Sequence, residues 1–367
     1  MGALSRRQFL TAAALSSLAG CTGAGTVSDP GGATDESGST GGAGPDAVPT
    51  SDEGLPLPTE PSALRRQARS GGPAKDGIPS IDEPEFVGAD AADYLDPGDP
   101  VFGVARDGTA KAYPQKILAQ HEIVNDELAG TNVAVTYCPL TGTVQGFERG
   151  ATTFGVSGRL INSNLVMYDR ATEAWWPQIL ATSIPGPWNE DPELRSLREF
   201  RLVWTTWEQW RAHRPETTVL STRTGHAKNY ERDPYGSYNP RGGYYDGDSL
   251  LFPALNESDR FPKKTVVMGA RTADGAAAFL KRSLRDRRGM TGTIGEVPVI
   301  AVSDPRLDTG YVYRNPDEHG FEPDGDAVTG PDGASHAPDA LPLDRIHTFD
   351  AMWFAWAGYY PDTDVYE

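Results

Sequence analysis

The sequence predicts a β-rich α+β protein in which two diverged repeats of one β-rich unit pack into a single body, preceded by a disordered tether. Short runs rich in β-branched and aromatic residues alternate with Gly, Pro and Asp turn signals, which is typical of strands. A motif around Trp207 and Trp210 returns at Trp353 and Trp356, offset by 146 positions (353 − 207). Residues 22–78 contain almost no large apolar side chain and cannot build a core, so they are assigned to the tether.

The first repeat, assigned to residues 79–220, opens with a predicted hairpin. Val101–Ala105 alternates as a strand, Asp107–Gly108 makes a turn, and Thr109–Tyr113 forms the second strand. A helical turn over residues 114–120 then delivers His121 and Glu122. The hairpin and this turn therefore lead directly into a stretch of polar residues.

Two more strands, at 132–137 and 143–147, flank a turn that begins with Cys138 and Pro139. A helix is predicted over 205–213. Trp207 and Trp210 are three residues apart, so they lie on one face of that helix, where core packing is the expected role.

The second repeat, residues 263–367, echoes these landmarks in a degenerate form. Gly103 corresponds to Gly269, and the strand that ends at Cys138 corresponds to one that ends at Asp304. Nothing in the second repeat matches the polar run at 121–126 or the stretch 154–170, so any chemistry is predicted in the first repeat. Residues 221–262 are a Tyr- and Gly-rich insert, read as an ordered loop that either covers a site or packs two subdomains together.

Residues 1–21 match a twin-arginine signal peptide with a lipobox. Arg6 and Arg7 precede a short apolar run, and Leu18-Ala19-Gly20-Cys21 resembles a site where Cys21 receives lipid. The apolar run is shorter than the roughly 20 residues of a membrane-spanning helix. The expected partners are the twin-arginine export machinery and the membrane, and the expected location is the outer face of the cytoplasmic membrane. The alternative is an ordinary signal peptide with Cys21 incidental.

The chain carries 51 acidic and 33 basic residues, a formal net charge of −18. An Asp-rich, Lys-poor surface is typical of halophilic proteins, because high salt screens the self-repulsion. The alternative is an acidic surface that recruits a basic partner. No basic patch is available to meet phosphates, so nucleic acid is excluded as a partner.

The segment 121–178 contains the residues most typical of a functional site. The candidate catalytic residues are Cys138, His121, Glu122, Asn125 and Asp126. The candidate substrate-binding residues are Ser157, Arg159, Asn164, Tyr168, Asp169, Arg170, Trp176 and Gln178. The sequence identifies no cofactor, and it leaves open whether the protein is an enzyme.

The leading hypothesis is a cysteine-dependent enzyme or redox-thiol protein centred on Cys138. The thiolate is the reactive form, so a cation such as His121 or Arg159 would have to lower the thiol pKa. His121 would act as the base, and Ser157 with nearby amides could bind an oxyanion. The alternative role for Cys138 is that of a small buried hydrophobe at a strand end.

Two binding functions are also compatible with the sequence. Cys138, His121 and Met167 form a soft ligand set that suits copper, although their spacing is not that of a compact metal site. A non-catalytic surface module could instead bind a saccharide or peptide on a shelf made by Trp175, Trp176 and Gln178.

Several motifs between about residues 80 and 367 resemble one family. They are Ala112-Tyr113-Pro114, His121-Glu122-Ile123-Val124-Asn125-Asp126, Tyr137-Cys138-Pro139-Leu140-Thr141-Gly142, Phe154-Gly155-Val156-Ser157-Gly158, Asn164-Leu165-Val166-Met167-Tyr168-Asp169-Arg170, Trp176-Pro177-Gln178, Asp233-Pro234-Tyr235, and Trp356 with Pro361-Asp362-Thr363. On these residues the chain resembles the domain-of-unknown-function family numbered 3179, found in exported bacterial and archaeal proteins. The resemblance implies no activity, because the family has no settled one. His226 departs from the family pattern, in which its position is usually aromatic, so the resemblance does not add His226 to the site.

Overall fold

The computed structural model describes residues 48–367, and within them it confirms a β-rich body with few helices. The helices are α1 (Pro61–Gln67), α2 (Gln115–His121), α3 (Trp207–His213), α4 (Lys281–Arg287) and α5 (Trp353–Tyr359), with one 3-10 turn at Ala89–Ala91. The strands are β1 (Arg69–Ser70), β2 (Phe86–Gly88), β3 (Pro100–Arg106), β4 (Thr109–Pro114), β5 (Ile123–Leu128), β6 (Thr131–Cys138), β7 (Thr143–Glu148), β8 (Phe154–Ile161), β9 (Asn164–Asp169), β10 (Trp175–Pro177), β11 (Glu199–Phe200), β12 (Val203–Thr206), β13 (Thr218–Leu220), β14 (Gly236–Tyr238), β15 (Arg241–Gly243), β16 (Val266–Thr272), β17 (Gly275–Leu280), β18 (Gly289–Ile294), β19 (Val297–Asp304), β20 (Thr309–Arg314), β21 (Glu322–Asp324), β22 (Ala327–Thr329), β23 (Ser335–His336), β24 (Arg345–Ile346), β25 (Thr348–Met352) and β26 (Asp364–Tyr366).

Two sheets form the first half of the body. One has the order β12-β3-β4-β13-β2, and the other has the order β11-β7-β6-β5. The predicted hairpin is confirmed as β3–β4, with Phe102 opposite Tyr113. The helical turn that precedes Glu122 is confirmed as α2, which ends at His121.

Two sheets of the second half have a comparable strand order. One runs β25-β16-β17-β26, and the other runs β24-β20-β19-β18. In both halves a hairpin leads into a seven-residue helix and then into an antiparallel sheet. In both halves the last strand also pairs in parallel with the second strand of the hairpin, β13 with β4 and β26 with β17.

Each tryptophan helix packs directly on a glycine of its sheet. Trp210 lies over Gly103, and Trp356 lies over Gly269, so that a Cβ at either glycine would overlap the indole. Trp210 Nε1 donates to Thr217 Oγ1 and Trp356 Nε1 to the hydroxyl of Thr363, both at 3.0 Å. The expectation that these tryptophans serve the core is confirmed, because Trp210 is 2% exposed and Trp356 is fully buried.

A further sheet, ordered β1-β8-β9-β10, lies between the two halves. Its β8–β9 hairpin turns at Asn162 and Ser163, both with positive φ, the conformation that two-residue hairpin loops require. Asn162 Nδ2 donates to Ala355 O of helix α5 at 2.7 Å, and Asn162 Oδ1 accepts from Leu255 N at 2.8 Å. The hairpin tip therefore holds the second half and the insert against the first half.

The tether prediction is wrong for residues 48–78. Helix α1 buries Leu64 completely, and β1 pairs Ser70 with Arg159 of β8. The prediction from composition failed because a few apolar residues in a polar stretch are enough to fix that stretch when they pack against the core of the remaining chain. The twin-arginine signal, the lipobox with Cys21 and residues 22–47 of the tether lie outside the described residues.

None of the helices between residues 48 and 367 is long and apolar enough to cross a membrane.

Candidate functional site

Cys138 ends strand β6 inside an apolar cluster and is 1% exposed. Its Sγ lies 3.6 Å from Ser163 O. Burial raises the pKa of the Cys138 thiol, and the charge of Glu122 raises it further, while hydrogen bonding to Thr141 lowers it. The surroundings therefore favour the neutral thiol, which is the opposite of what an activated nucleophile requires.

His121 does not pair with Cys138. Its Nδ1 lies 2.7 Å from Pro79 O, and its Nε2 lies 2.5 Å from Tyr230 Oη. Burial lowers the pKa of His121 to about 4, so the ring is neutral at pH 7. Because both ring nitrogens are occupied, the predicted base–nucleophile pair of His121 and Cys138 is not formed.

Glu122 is the predicted catalytic residue whose charge acts on Cys138. It has a left-handed backbone conformation, with φ of 61°. Strain of this kind often marks functional sites, but Arg288 at the end of α4 has the same conformation, with φ of 69°. The left-handed conformation is therefore a feature of how α2 and α4 end, and it does not by itself mark a functional site.

Asn125 and Asp126 hold strands together. The Asn125 side chain bonds both the N–H and the carbonyl of Phe154, each at 2.9 Å. Asp126 is 6% exposed and accepts from Lys111 Nζ and Tyr113 Oη, each at 2.7 Å. These contacts leave neither side chain directed at Cys138, so the predicted catalytic set is not assembled around the thiol.

The predicted stacking shelf is wrong. Trp175 and Trp176 are each 4% exposed, and Gln178 is fully buried. Gln178 Oε1 accepts from Thr143 Oγ1 at 2.6 Å and from Asn164 Nδ2 at 2.9 Å. The prediction placed these side chains on the surface because polar and aromatic residues together resemble a binding face. In the structure Gln178 belongs to a buried hydrogen-bond network, whereas Trp175 Nε1 is buried with no hydrogen-bond partner in the described chain.

The other predicted substrate-binding residues fasten residues 69–82 and the turn after β9. Asp169 accepts from Trp176 Nε1 at 2.9 Å and from Thr172 at 2.6 Å. Tyr168 Oη donates to Asp76 at 2.5 Å, and Arg170 forms ion pairs with Asp76 and Asp82. Ser157 Oγ donates to Val166 O of the neighbouring strand. Arg159 is exposed, and its backbone pairs with Ser70 of β1.

The predicted copper ligands are also separate. Met167 and Cys138 share the apolar cluster, but the nitrogens of His121 are bonded to Pro79 and Tyr230. Between residues 48 and 367 no group of three His, Cys, Asp or Glu side chains could hold a metal ion.

A cleft of about 540 Å³ lies where the first half, the insert and the second half meet. We call it the junction cleft. Three aromatic side chains line it, namely Trp204 of β12, Tyr238 of β14 and Phe261 of the insert. Such a volume is typical of a small-molecule site, and such sites commonly lie between subdomains.

Cationic side chains gather in the junction cleft. Lys281 pairs with Asp350, and Arg285 pairs with Asp308. Arg241 and Arg282 also line the cleft, and neither forms an ion pair with a carboxylate of the described chain. Four cations against two carboxylates leave a formal local charge of +2 (4 − 2), in a protein whose net charge is −18.

The cleft reaches the Cys138 motif through Gly142. Gly142 has φ of +59°, and a Cβ there would overlap the Tyr238 hydroxyl. The Tyr238 ring packs 4.7 Å from Trp204 and 4.2 Å from Tyr245, measured between ring centroids. Burial raises the pKa of Tyr238, so its phenol stays protonated. The turn that follows Cys138 and contains Gly142 therefore supports the Tyr238 ring, which we call the floor of the junction cleft.

Sequence reasoning missed the junction cleft because its residues come from separated segments without a shared motif. Gly142 was part of a recognised motif, and the insert was identified as a possible cover for a site. The charges of α4 gave a weak signal, because Lys281, Arg282 and Arg285 cluster in an otherwise acidic chain.

We expect the folded protein to protect Cys138 from thiol reagents. In the full chain carrying Cys21→Ser, Ellman's reagent should react roughly 100-fold more slowly than in the same chain unfolded in guanidinium, because the buried thiol stays protonated. A reaction of the folded protein as fast as that of a free thiol would support the hypothesis of an activated cysteine. The chain that carries both Cys21→Ser and Cys138→Ser has no thiol and gives the background signal of the reagent.

Stability should fall in mild acid through buried His347. Burial lowers its pKa to about 4, with Glu199 raising it and Arg271, Arg201 and Arg345 lowering it. Because the folded pKa lies below the unfolded one of about 6.5, the unfolded state binds the proton first. The stability that neutral His347 contributes is therefore fully present above about pH 6.5. The free energy of unfolding decreases toward pH 4, by roughly 3 kcal/mol for this one group.

Urea unfolding at several pH values tests this expectation. His347→Gln should reduce the decline between pH 6.5 and 4 by roughly 3 kcal/mol and leave the part that buried His121 contributes, whereas His319→Gln, at a half-exposed histidine, should leave the decline unchanged. An unaltered slope in His347→Gln would contradict the expectation.

A family model described as "Protein of unknown function (DUF3179)" matches residues 75–363. No curated protein and no solved structure matches the chain.

Proposed function

The chain belongs to the DUF3179 family of proteins of unknown function, and we propose that it is a binding protein whose junction cleft holds a small anionic ligand. The observation that carries this proposal is the convergence of Arg241, Lys281, Arg282 and Arg285 with three aromatic side chains in one cleft. The local excess of positive charge attracts anions into that cleft, while the acidic remainder of the protein repels them.

The cleft favours binding over cysteine chemistry. Cys138 is buried, and burial raises its thiol pKa. His121 is bonded to Pro79 and Tyr230 instead. The non-catalytic ligand-binding function considered from the sequence is therefore retained, with its site moved from the buried tryptophans to the junction cleft.

We also propose that the protein works outside the cell, held at the membrane surface by lipid on Cys21. Support comes from the Arg6-Arg7 pair and the lipobox-like run before Cys21. The acidic composition favours a salt-adapted host. In high salt, anion binding by exposed arginines is weakened by screening, so the aromatic walls of the cleft must contribute part of the affinity.

A duplication is the proposed origin of the two halves. Support comes from the shared strand orders, the matched Trp–Gly contacts and the matched Trp–Thr hydrogen bonds. On this account the cleft arose at the contact between the copies, and the insert at 221–262 closed one side of it.

Titration of the full chain with anilinonaphthalene sulfonate, a fluorescent anion with aromatic rings, tests the binding proposal. We expect Arg241→Ala/Arg282→Ala to weaken binding at least about tenfold, which corresponds to about 1.4 kcal/mol. Arg287→Ala removes an exposed arginine of the same helix that does not line the cleft, so its affinity should equal that of the unmodified chain. Equal weakening by both changes, or by neither, would refute a specific anion site.

A further inference from the structure

We propose that the ligand of the junction cleft is a sugar acid, a pyranose ring that carries a carboxylate. This inference rests on the proposed function and names the chemistry of its ligand. Three properties of the cleft carry it: its unneutralised guanidinium groups, its aromatic walls, and its neutral hydrogen-bonding side chains.

The charges select a carboxylate. Lys281 and Arg285 are neutralised within the cleft, because Asp350 and Asp308 pair with them. Arg241 and Arg282 retain their charge. A guanidinium presents parallel N–H groups that match the two oxygens of a carboxylate, so an arginine without an acidic neighbour is well suited to bind that group.

Arg241 is oriented by its surroundings. Its Nη1 donates to Lys264 O at 3.2 Å, and its guanidinium lies 5.4 Å from the centroid of the Tyr238 ring. Cation–π contact of this kind restrains an exposed arginine while leaving other N–H groups for a ligand. A carboxylate bound there would lie at the edge of the aromatic wall.

The aromatic walls fit a flat apolar face. Trp204 and Tyr238 pack at a 56° interplanar angle on one wall, and Phe261 lines the cleft as well. A pyranose has an apolar face of C–H groups that packs on such rings, with its hydroxyls directed outward from the ring edge.

Neutral polar groups supply partners for those hydroxyls. Gln209 Oε1 accepts from the hydroxyls of Thr205 and Thr206, both at 3.0 Å, which leaves its amide N–H groups without a partner in the described chain. Asn239 Nδ2 donates to Gly98 O at 3.1 Å, which leaves its carbonyl oxygen as an acceptor. An aromatic acid without hydroxyls would displace water from these accessible groups without replacing its hydrogen bonds, which lowers the affinity.

Calorimetric titration of the full chain with glucuronate, glucose, benzoate and glucose 6-phosphate tests the assignment. We expect glucuronate to bind at least about tenfold more tightly than each of the other three, since it alone combines the ring, the hydroxyls and the carboxylate. Arg241→Ala should remove most of the preference for glucuronate over glucose, and Gln209→Ala should weaken glucuronate and glucose equally. Arg287→Ala should change neither affinity.

The outcomes separate this inference from the proposed function. If benzoate or glucose 6-phosphate binds as tightly as glucuronate and depends on Arg241, the sugar acid is refuted while the anion site stands. If glucose binds as well as glucuronate, the carboxylate assignment is refuted. If none of the three anions binds and the anilinonaphthalene sulfonate result is also negative, both proposals fail.

Discussion

Replacing Glu199 with Gln is expected to lower the free energy of unfolding by about 3–5 kcal/mol. Glu199 Oε1 accepts from Arg271 Nη2 at 2.9 Å, with 8% of the Glu199 side chain and none of the Arg271 side chain exposed. Arg271 comes from β16 and Glu199 from β11, so the pair joins the two halves. Without the carboxylate, the arginine charge would be buried with no opposite charge against it, which is far more costly than losing the bond itself.

Matched variants show whether the charge is responsible. Glu367→Gln removes the partner of Arg260 in an exposed pair, and it should cost less than about 1 kcal/mol. The double change Glu199→Gln/Arg271→Met removes both charges and should recover much of the loss. Unfolding curves in urea measure all three. A single Glu199→Gln variant as stable as Glu367→Gln would contradict the account.

Replacing Gly142 with Ala is expected to weaken ligand binding in the junction cleft strongly. The new Cβ would overlap the Tyr238 hydroxyl and touch Met352. Tyr238 is packed against Trp204 and Tyr245 and lines the cleft, so relieving the overlap would displace a ring of the cleft wall. We expect at least about a 30-fold loss of affinity for anilinonaphthalene sulfonate, about 2 kcal/mol.

Gly108→Ala is the matched control for this change. Gly108 also has a positive φ, of +78°, but its Cβ would meet nothing within 4 Å. Both variants carry the backbone cost of alanine in the left-handed region, about 1–2 kcal/mol, and only Gly142→Ala disturbs the cleft. Comparable affinities in the two variants would show that Gly142 does not support the floor.

Local patterns predicted the elements of the first half well. The β3–β4 hairpin, helix α2 and strand β6 each follow from signals within a few residues, such as the turn at Asp107–Gly108. Family resemblance was predicted from motifs and is confirmed by the matching family model.

The role of each polar residue could not be predicted in the same way. A buried, fully bonded Gln178 and an exposed binding glutamine look identical in the sequence, because burial depends on the packing of distant strands. The predicted pairing of His121 with Cys138 is wrong for the same reason. The groups that bond the His121 ring, Pro79 O and Tyr230 Oη, come from distant segments of the chain. The junction cleft depends on three such segments meeting.

The indole resonance of Trp204 provides the most direct test of an anion site in the junction cleft. In the full chain labelled with nitrogen-15, with Trp204→Phe used to assign the signal, titration with anilinonaphthalene sulfonate should shift the Trp204 resonance and leave those of buried Trp175 and Trp176 in place. Arg241→Ala/Arg282→Ala should move that shift to higher ligand concentration. A saturable shift at other tryptophans with Trp204 unmoved would place the ligand elsewhere and contradict the account.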